Sequence, residues 1–320
     1  MISKRVWIGA LSVGLSATIA GCWAAGNGDA AKSTRAGEAA PQARRYTPHK
    51  VAALNDARID ESSGLAASRR YPGYLWTHND SGDKPRLFLI SPDGKTTATV
   101  NVENANAFDW EDMAISGEGE NAWVYIGDIG DNFRWRSNLT IYRFREPQLD
   151  TAKSGQELNV RAEQMALEYS GRQSDAETLI AAPDGHLLIV TKVPGASELW
   201  RTPQPFADGT KQIVEKIASY SLGDDSKASR DRLATGGDLS PDGRRVAVIT
   251  YGHLYEWLVP LDEKGAPDWK NVWQSTPAVS ELPAAKQIEA VAYSADGTKL
   301  FITSEQQPSP LYEMTPVQAK

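Results

Sequence analysis

The stretch "AFDWEDMAIS", residues 107–116, sets Asp109, Glu111 and Asp112 around Trp110 at the entry to an apolar run. Acid at a strand start recurs in "AETLIAAPDG", which carries Glu177, and in "IEAVAYSADG", which carries Glu289. Aligning these with "SSGLAAS" and "ATGGDLSPDG" places Ser63, Glu111, Glu177, Thr235 and Glu289 at one equivalent position. If the strands surround one axis, three carboxylates and two hydroxyls face one another. Like charges at that range repel, and burial adds to the cost. The carboxyls then either hold protons or share a cation. An all-oxygen set suits Ca²⁺, which takes six to eight oxygen ligands in flexible geometry. Zn²⁺ is disfavoured, because no histidine or thiolate stands at these positions. The plainer alternative is a polar channel lining that binds water.

A second group sits where the following strands should end. His78, Asn79, Asp80, Asp128, Lys192, Tyr251 and Glu305 are expected to ring one mouth of the channel. His78, Tyr251 and Glu305 are candidate ligand contacts, with Arg134 and Trp135 of "FRWRSN" on the rim beside Arg136. The same set could serve a calcium-assisted hydrolysis. The metal would polarise a phosphoryl or acyl oxygen, Asp80 or Asp128 would act as general base, and Lys192 would stabilise an anion. Solvated strand ends are the bland alternative. "GDIGDN" and "NDSGD" share a D-x-G-D core, expected as a tight turn capped by aspartate rather than a second calcium loop. No G-x-S-x-G elbow, H-E-x-x-H or Walker loop is present, so nucleophilic catalysis finds little support.

These residues need a scaffold that repeats. "SPDG" at 91–94 and 240–243, "PDG" at 183–185 and "SADG" at 294–297 are tight-turn sequences between short apolar runs. Each repeat offers a small-residue strand, a turn and a stronger apolar strand. Third strands follow ("RLFLIS", "LTIYRF", "ELWRT", "HLYEWLV", "LYEMT"), then fourth strands ("TTATVNV", "EQMALEY", "EKIASYS", "VWQSTPAV"). The last repeat lacks a fourth strand, and an orphan strand "HKVAALN" precedes the first. The count closes if that N-terminal strand completes the last blade. The expected fold is an all-β, five-bladed β-propeller of four antiparallel strands per blade, spanning residues 49–320. A β-sandwich and a six-bladed ring are the alternatives.

The ring of Ser63, Glu111, Glu177, Thr235 and Glu289 on five blades resembles the calcium-activated nucleotidase (apyrase) family. The resemblance implies a five-bladed propeller with a central calcium held by serines and glutamates. Thr235 stands where that pattern expects serine, and no nucleotidase motif occurs elsewhere. "SGLAAS…HNDSGD", "DWEDMA" and "GDIGDN" also look like an uncharacterised bacterial extracytoplasmic propeller group. That group lies near the esterase-like phytase and quorum-regulated propeller families.

Residues 1–21 read as a signal peptide: Lys4 and Arg5, an apolar stretch, then "IAGC". This resembles a bacterial lipobox, which implies cleavage before Cys22 and its lipidation. Cys22 is the only cysteine, so an intrachain disulfide is excluded. Residues 22–48 are small and polar and read as a flexible tether. Removing the signal peptide leaves 32 basic and 41 acidic residues, a formal charge of −9. That argues against a nucleic acid polymer as partner. The expected protein is a monomer on a lipid anchor in the cell envelope, at the periplasmic face of the outer membrane or the cell surface if Gram-negative. Its expected role is to bind a small polar ligand or an envelope protein. The alternative is a calcium-dependent hydrolase of phosphate esters or nucleotides.

Overall fold

The Asp-Gly turns do what their chemistry requires. Gly94, Gly185, Gly243 and Gly297 all take positive φ, between 66 and 81°. Each donates its N–H to the carbonyl three residues earlier, at 2.7–2.9 Å. A side chain on Cβ disfavours that backbone region, so glycine places the hairpins.

The computed structural model describes residues 42–223 and 229–318. The expected signal peptide and Cys22 lie outside the described residues, as does most of the expected tether. The described residues form twenty-one strands and three short 3-10 helices, with no α-helix. β1 (Tyr46–Leu54) starts inside the span read as tether. β2 (Ser62–Ala67), β3 (Leu75–Asn79), β4 (Arg86–Ile90) and β5 (Thr96–Val102) form a first meander. β6 (Trp110–Ser116), β7 (Trp123–Asp128) and β8 (Leu139–Arg145) begin a second. The chain then makes β9 (Gln156–Val160), which pairs parallel to β5, before β10 (Glu163–Tyr169) completes that meander. β11 (Ala176–Ala181), β12 (Leu187–Thr191), β13 (Ala196–Arg201) and β14 (Thr210–Ser221) form the third. The start of β14 also pairs parallel with β10, which joins the second and third meanders at their outer edges. β15 (Gly236–Leu239), β16 (Arg245–Ile249), β17 (His253–Leu258) and β18 (Ala278–Glu281) form the fourth. β19 (Ile288–Tyr293), β20 (Leu300–Ser304) and β21 (Ser309–Pro316) are completed by β1, antiparallel to β21.

The sequence reading missed β9 and the parallel pairing of β14. It also placed a fourth strand at "VWQSTPAV". There Val272–Gln274 is a 3-10 helix and the strand begins at Ala278. Val272 and Trp273 bury against Trp257 and Leu199 instead. Packing of that aromatic cluster outweighs the local β-propensity of the segment.

The inner strands pack in a closed cycle: β2 on β6, β6 on β11, β11 on β15, β15 on β19 and β19 on β2. Apolar clusters fill every gap between neighbouring meanders, such as Trp76, Val100, Trp110 and Tyr142 between the first two. Buried meanders arranged edge-inward in a closed cycle are a β-propeller, which leaves no free inner edge.

Carboxylates tie the meanders together. Asp112 on β6 accepts the N–H of Met113 at 2.8 Å and of Leu179 on β11 at 2.9 Å. Asp238 on β15 does the same with Leu239 and with Tyr293 on β19. Glu256 on β17 accepts the hydroxyls of Tyr46 and Tyr293 at 2.5 and 2.6 Å and the N–H of Arg44 at 2.5 Å. It thereby fixes the strand that closes the last meander. Replacing Glu256 by alanine strands these buried donors. The expected loss is about 3 kcal/mol of unfolding free energy, read from the urea midpoint. A loss below about 1 kcal/mol would show that the latch is held by other contacts.

Candidate functional site

The five aligned positions share a local backbone device. Pairing between first and second strands slips at Ser63, Glu111, Glu177 and Glu289. Each of these residues is the extra one in a β-bulge, which re-aims its side chain. Thr235 stands immediately before β15, with its N–H on the carbonyl of Ile249 at 2.9 Å. The two hydroxyls look sideways. Ser63 Oγ donates to the Glu111 carbonyl at 2.6 Å, and Thr235 Oγ1 to the Ile288 carbonyl at 3.0 Å.

The three glutamates do not share one environment. Lys192 Nζ pairs directly with Glu177 Oε1 and lies 3.9 Å from Glu289 Oε1. Tyr251 donates its hydroxyl to Glu289 Oε1 at 2.8 Å. Burial opposes the charge on Lys192, but Glu177 and Glu289 outweigh it and hold the ammonium protonated. Burial, a hydrogen bond to Glu289 and that residue's charge keep the Glu305 carboxyl up at about 10. Arg230 stacks on the Tyr251 ring at 4.4 Å.

The other side gathers acid. Oxygens of Asp80, Asp109 and Glu111 lie within 4.8 Å of one another. Burial, with repulsion from Asp109, Glu289 and Glu61, raises Asp80 to about 7. Burial raises Asp109 to about 6, against the pull of Arg136. Glu111 is pushed well above the carboxylate range by burial and by Glu177, Asp80 and Asp109. Glu177 turns its second oxygen, Oε2, toward no hydrogen-bond partner although it is buried. Burial raises this carboxyl too, with Lys192 opposing.

Equivalent backbone pairs explain the crowding. The N–H groups of Asp80, Lys192 and Glu305 bond the carbonyls of Glu61, Asp175 and Gln287 at 2.9–3.0 Å. In the second meander the same bond runs from Gly130 to Asp109 at 3.3 Å. Gly130, rather than Asp128, thus occupies the mouth position of that meander. A Cβ on Gly130 would meet Glu111 Oε1 at 2.1 Å and Asp109 Oδ2 at 2.5 Å. The glycine makes room for both carboxylates.

Several residues expected at the mouth stand elsewhere. Asp128 lies in the wall, bonded by Arg136 Nη2 at 2.6 Å and by the N–H of Asp109 at 3.1 Å. With its oxygens so engaged it is not poised as a base. Arg136 is buried rather than on the rim, and it also donates to the Gly130 carbonyl at 2.6 Å. His78 is fully buried, edge-on to Trp110 at 5.5 Å and tight under Gly64. It faces the gap between meanders and does not reach the opening. The D-x-G-D segments are occupied locally. Asp131 caps the N–H groups of Trp135 and Arg136, and Asp83 pairs with Arg86 at 2.7 Å. Arg134 and Trp135 do lie on the rim loop, next to an exposed Phe133. Asp109, left without a role by the sequence, joins the acidic cluster; its proximity to Gly130 across a hairpin was the missing signal.

The far end of the channel opens on a cavity of about 400 Å³ whose charged lining is Arg69 and Glu118. The dense carboxylate chemistry belongs to the first mouth.

Fold and site together define a β-propeller with an acidic channel mouth. No family model matches the chain, and no curated protein matches it. Solved structures similar to it include the PQQ-bound form of aldose sugar dehydrogenase from Streptomyces coelicolor. That chain is 13% identical, with a TM-score of 0.46 over 87% of this chain and 100% of its own. The Cps50 (Swd1) β-propeller domain of Myceliophteria thermophila is 10% identical, with a TM-score of 0.45 over 85% and 100%.

The burial of His78 has a pH consequence. Burial holds its imidazole down at about 4, against 6.5 in the unfolded chain. The folded state resists the proton that the unfolded state accepts. This stability is complete above 6.5 and is lost as pH falls toward about 4. The expected loss is about 2–3 kcal/mol over that window. His78→Gln should flatten this part of the pH–stability curve; parallel curves for the two proteins would contradict the assignment.

Proposed function

We propose that the chain is a lipid-anchored, cell-envelope β-propeller of five blades whose mouth holds a divalent cation and serves as a ligand- or partner-binding module. Five four-stranded meanders and the cycle of inner strands support the blade count. The observation that carries the site is the convergence of Asp80, Asp109 and Glu111 oxygens within 4.8 Å, with the unpartnered Oε2 of buried Glu177 alongside.

That donor set fits a hard cation. All donors are oxygens, several carry charge, and they come from loops and a bulge rather than a rigid octahedral cage. Ca²⁺ is the ion favoured by such a set. Its bound charge would return the raised carboxyls to their ionised forms. This reading moves the ion off the symmetric ring expected from sequence. Glu177 Oε1 and Glu289 already face Lys192, and the hydroxyls of Ser63 and Thr235 already donate to carbonyls.

A calcium-dependent hydrolase of phosphate esters or nucleotides is the second reading. The observation that favours it is the place of Asp80, a carboxylate among the mouth oxygens that would hold the cation, where it could activate a water. Turnover of nucleoside di- and triphosphates or simple phosphate esters with calcium, abolished by chelator, is its test. Absence of turnover on all of them removes this reading and leaves the binding module.

Two measurements test the main reading. In calorimetric titration with calcium, Asp109→Asn and Glu111→Gln are expected to weaken binding at least ~10-fold. Glu289→Gln should stay within about threefold of the parent. The opposite ranking would return the ion to the symmetric axis. For the anchor, Cys22→Ser is expected to move the protein from membranes to the soluble fraction and to abolish incorporation of a labelled fatty acid. No helix among the described residues is long and apolar enough to cross the membrane by itself. Membrane retention of Cys22→Ser would refute the lipid anchor.

A further inference from the structure

The loop between β7 and β8 displays two large apolar rings. Phe133 is 84% exposed and Trp135 66%. Their backbone is nevertheless tightly held. The Asp131 carboxylate accepts the N–H of Trp135 at 2.9 Å and of Arg136 at 3.0 Å. The Asp131 N–H bonds Asp175 Oδ1 in the next meander at 2.8 Å. Arg134 closes a turn onto the Asp131 carbonyl at 2.8 Å and takes φ of 56°, a conformation costly for a residue with Cβ. Buried Arg136 bolts the loop to Asp128 and to the Gly130 carbonyl and stacks on Phe108 at 4.5 Å. A strained loop with a buried ion pair at its base, built to hold aromatic rings in water, is a preorganised binding element.

The base of that loop is Gly130, the residue packed on Asp109 and Glu111. The loop that carries the rings therefore springs from the acidic mouth. We infer that the mouth recognises a neutral carbohydrate, with a sugar's C–H face on Trp135 and Phe133 and its hydroxyls toward the acidic cluster. This deepens the binding-module reading above and rests on it. The charge pattern selects the ligand class. Carboxyl groups of Asp80, Asp109 and Glu111 converge at this mouth, and the guanidinium of Arg136 is committed to Asp128. A polyol donates hydroxyl protons to carboxylates, or offers oxygens to a cation they hold, while presenting an apolar face to an aromatic ring. A quaternary ammonium compound would also suit acid beside aromatics, but it has no use for a cation site at the same mouth.

The test is an array of immobilised neutral oligosaccharides probed with the purified protein. Calorimetry follows with each oligosaccharide retained, with choline and with glucose 6-phosphate. Calcium binding is titrated separately without sugar. The expected result is retention of neutral glycans, with Trp135→Ala weakening the measured affinity about 30-fold. An unchanged melting temperature shows that the variant is folded. Binding that Trp135→Ala does not weaken overturns the platform. Binding of choline or of the sugar phosphate in place of neutral sugars overturns the ligand class. Calcium binding with no glycan retained overturns this inference alone. Glycan binding through Trp135 without any calcium binding supports it and overturns only the cation reading.

Discussion

A single ammonium divides the charge at the channel mouth, and the asymmetry of the site follows from it. Lys192 is drawn between Glu177 and Glu289 because buried carboxylates repel one another at short range and a fixed cation relieves two at once. Tyr251 and Glu305, whose carboxyl is raised by burial and by Glu289, complete that side. What remains is a half-ring in which oxygens of Asp80, Asp109 and Glu111 converge, with the Arg136 guanidinium pulling on Asp109. The five positions are equivalent by repeat but not by chemistry, since each meander contributes a different residue after its second strand: Asp80, Gly130, Lys192, Tyr251 and Glu305.

Holding like charges together requires a wall that does not relax. The inner strands are buried along their length except at Ser116, the half-buried end of β6, and their meanders are fastened by carboxylates used as structural acceptors. Asp112 and Asp238 bridge adjacent inner strands through backbone N–H groups. Glu146 fastens the first two meanders by accepting from Ser68, Trp76 Nε1 and the N–H groups of Arg69 and Arg70. The chain thus uses the same residue type in two ways. Carboxylates that receive several donors act as rivets, whereas those that meet other carboxylates form the site.

Glycine decides where crowding is permitted. Gly130 leaves space for two carboxylates, and Gly236 lets β15 approach β19 so closely that a Cβ would lie 2.3 Å from the Glu289 carbonyl. Gly64 admits the His78 ring into the wall. The rim loop rises from the first of these points. A change in the hairpin around residues 127–136 would therefore alter both the acidic cluster and the aromatic display.

The repeat, its turns, the closing N-terminal strand and the equivalence of Ser63, Glu111, Glu177, Thr235 and Glu289 were legible in the sequence. Asp-Gly turns and alternating apolar runs are local signals, and local signals repeat with the blade. Parallel pairing of β9 was not legible, because contact between distant strands leaves no period in either one. The 3-10 turn at Val272–Gln274 arises from aromatic packing around Trp257 and Trp273, which no local propensity reports. The bulges were hidden as well, since an extra residue shows only against its partner strand. Tertiary structure alone decided that Lys192 faces Glu177 and Glu289, that Arg136 sinks onto Asp128, and that Gly130 brings Asp109 beside Glu111. The sequence determined which carboxylates could enter the channel, through strand alternation and turn chemistry. The closed ring determined which of them face a cation of the protein and which face one another, because distances between side chains of different blades exist only once the blades have packed.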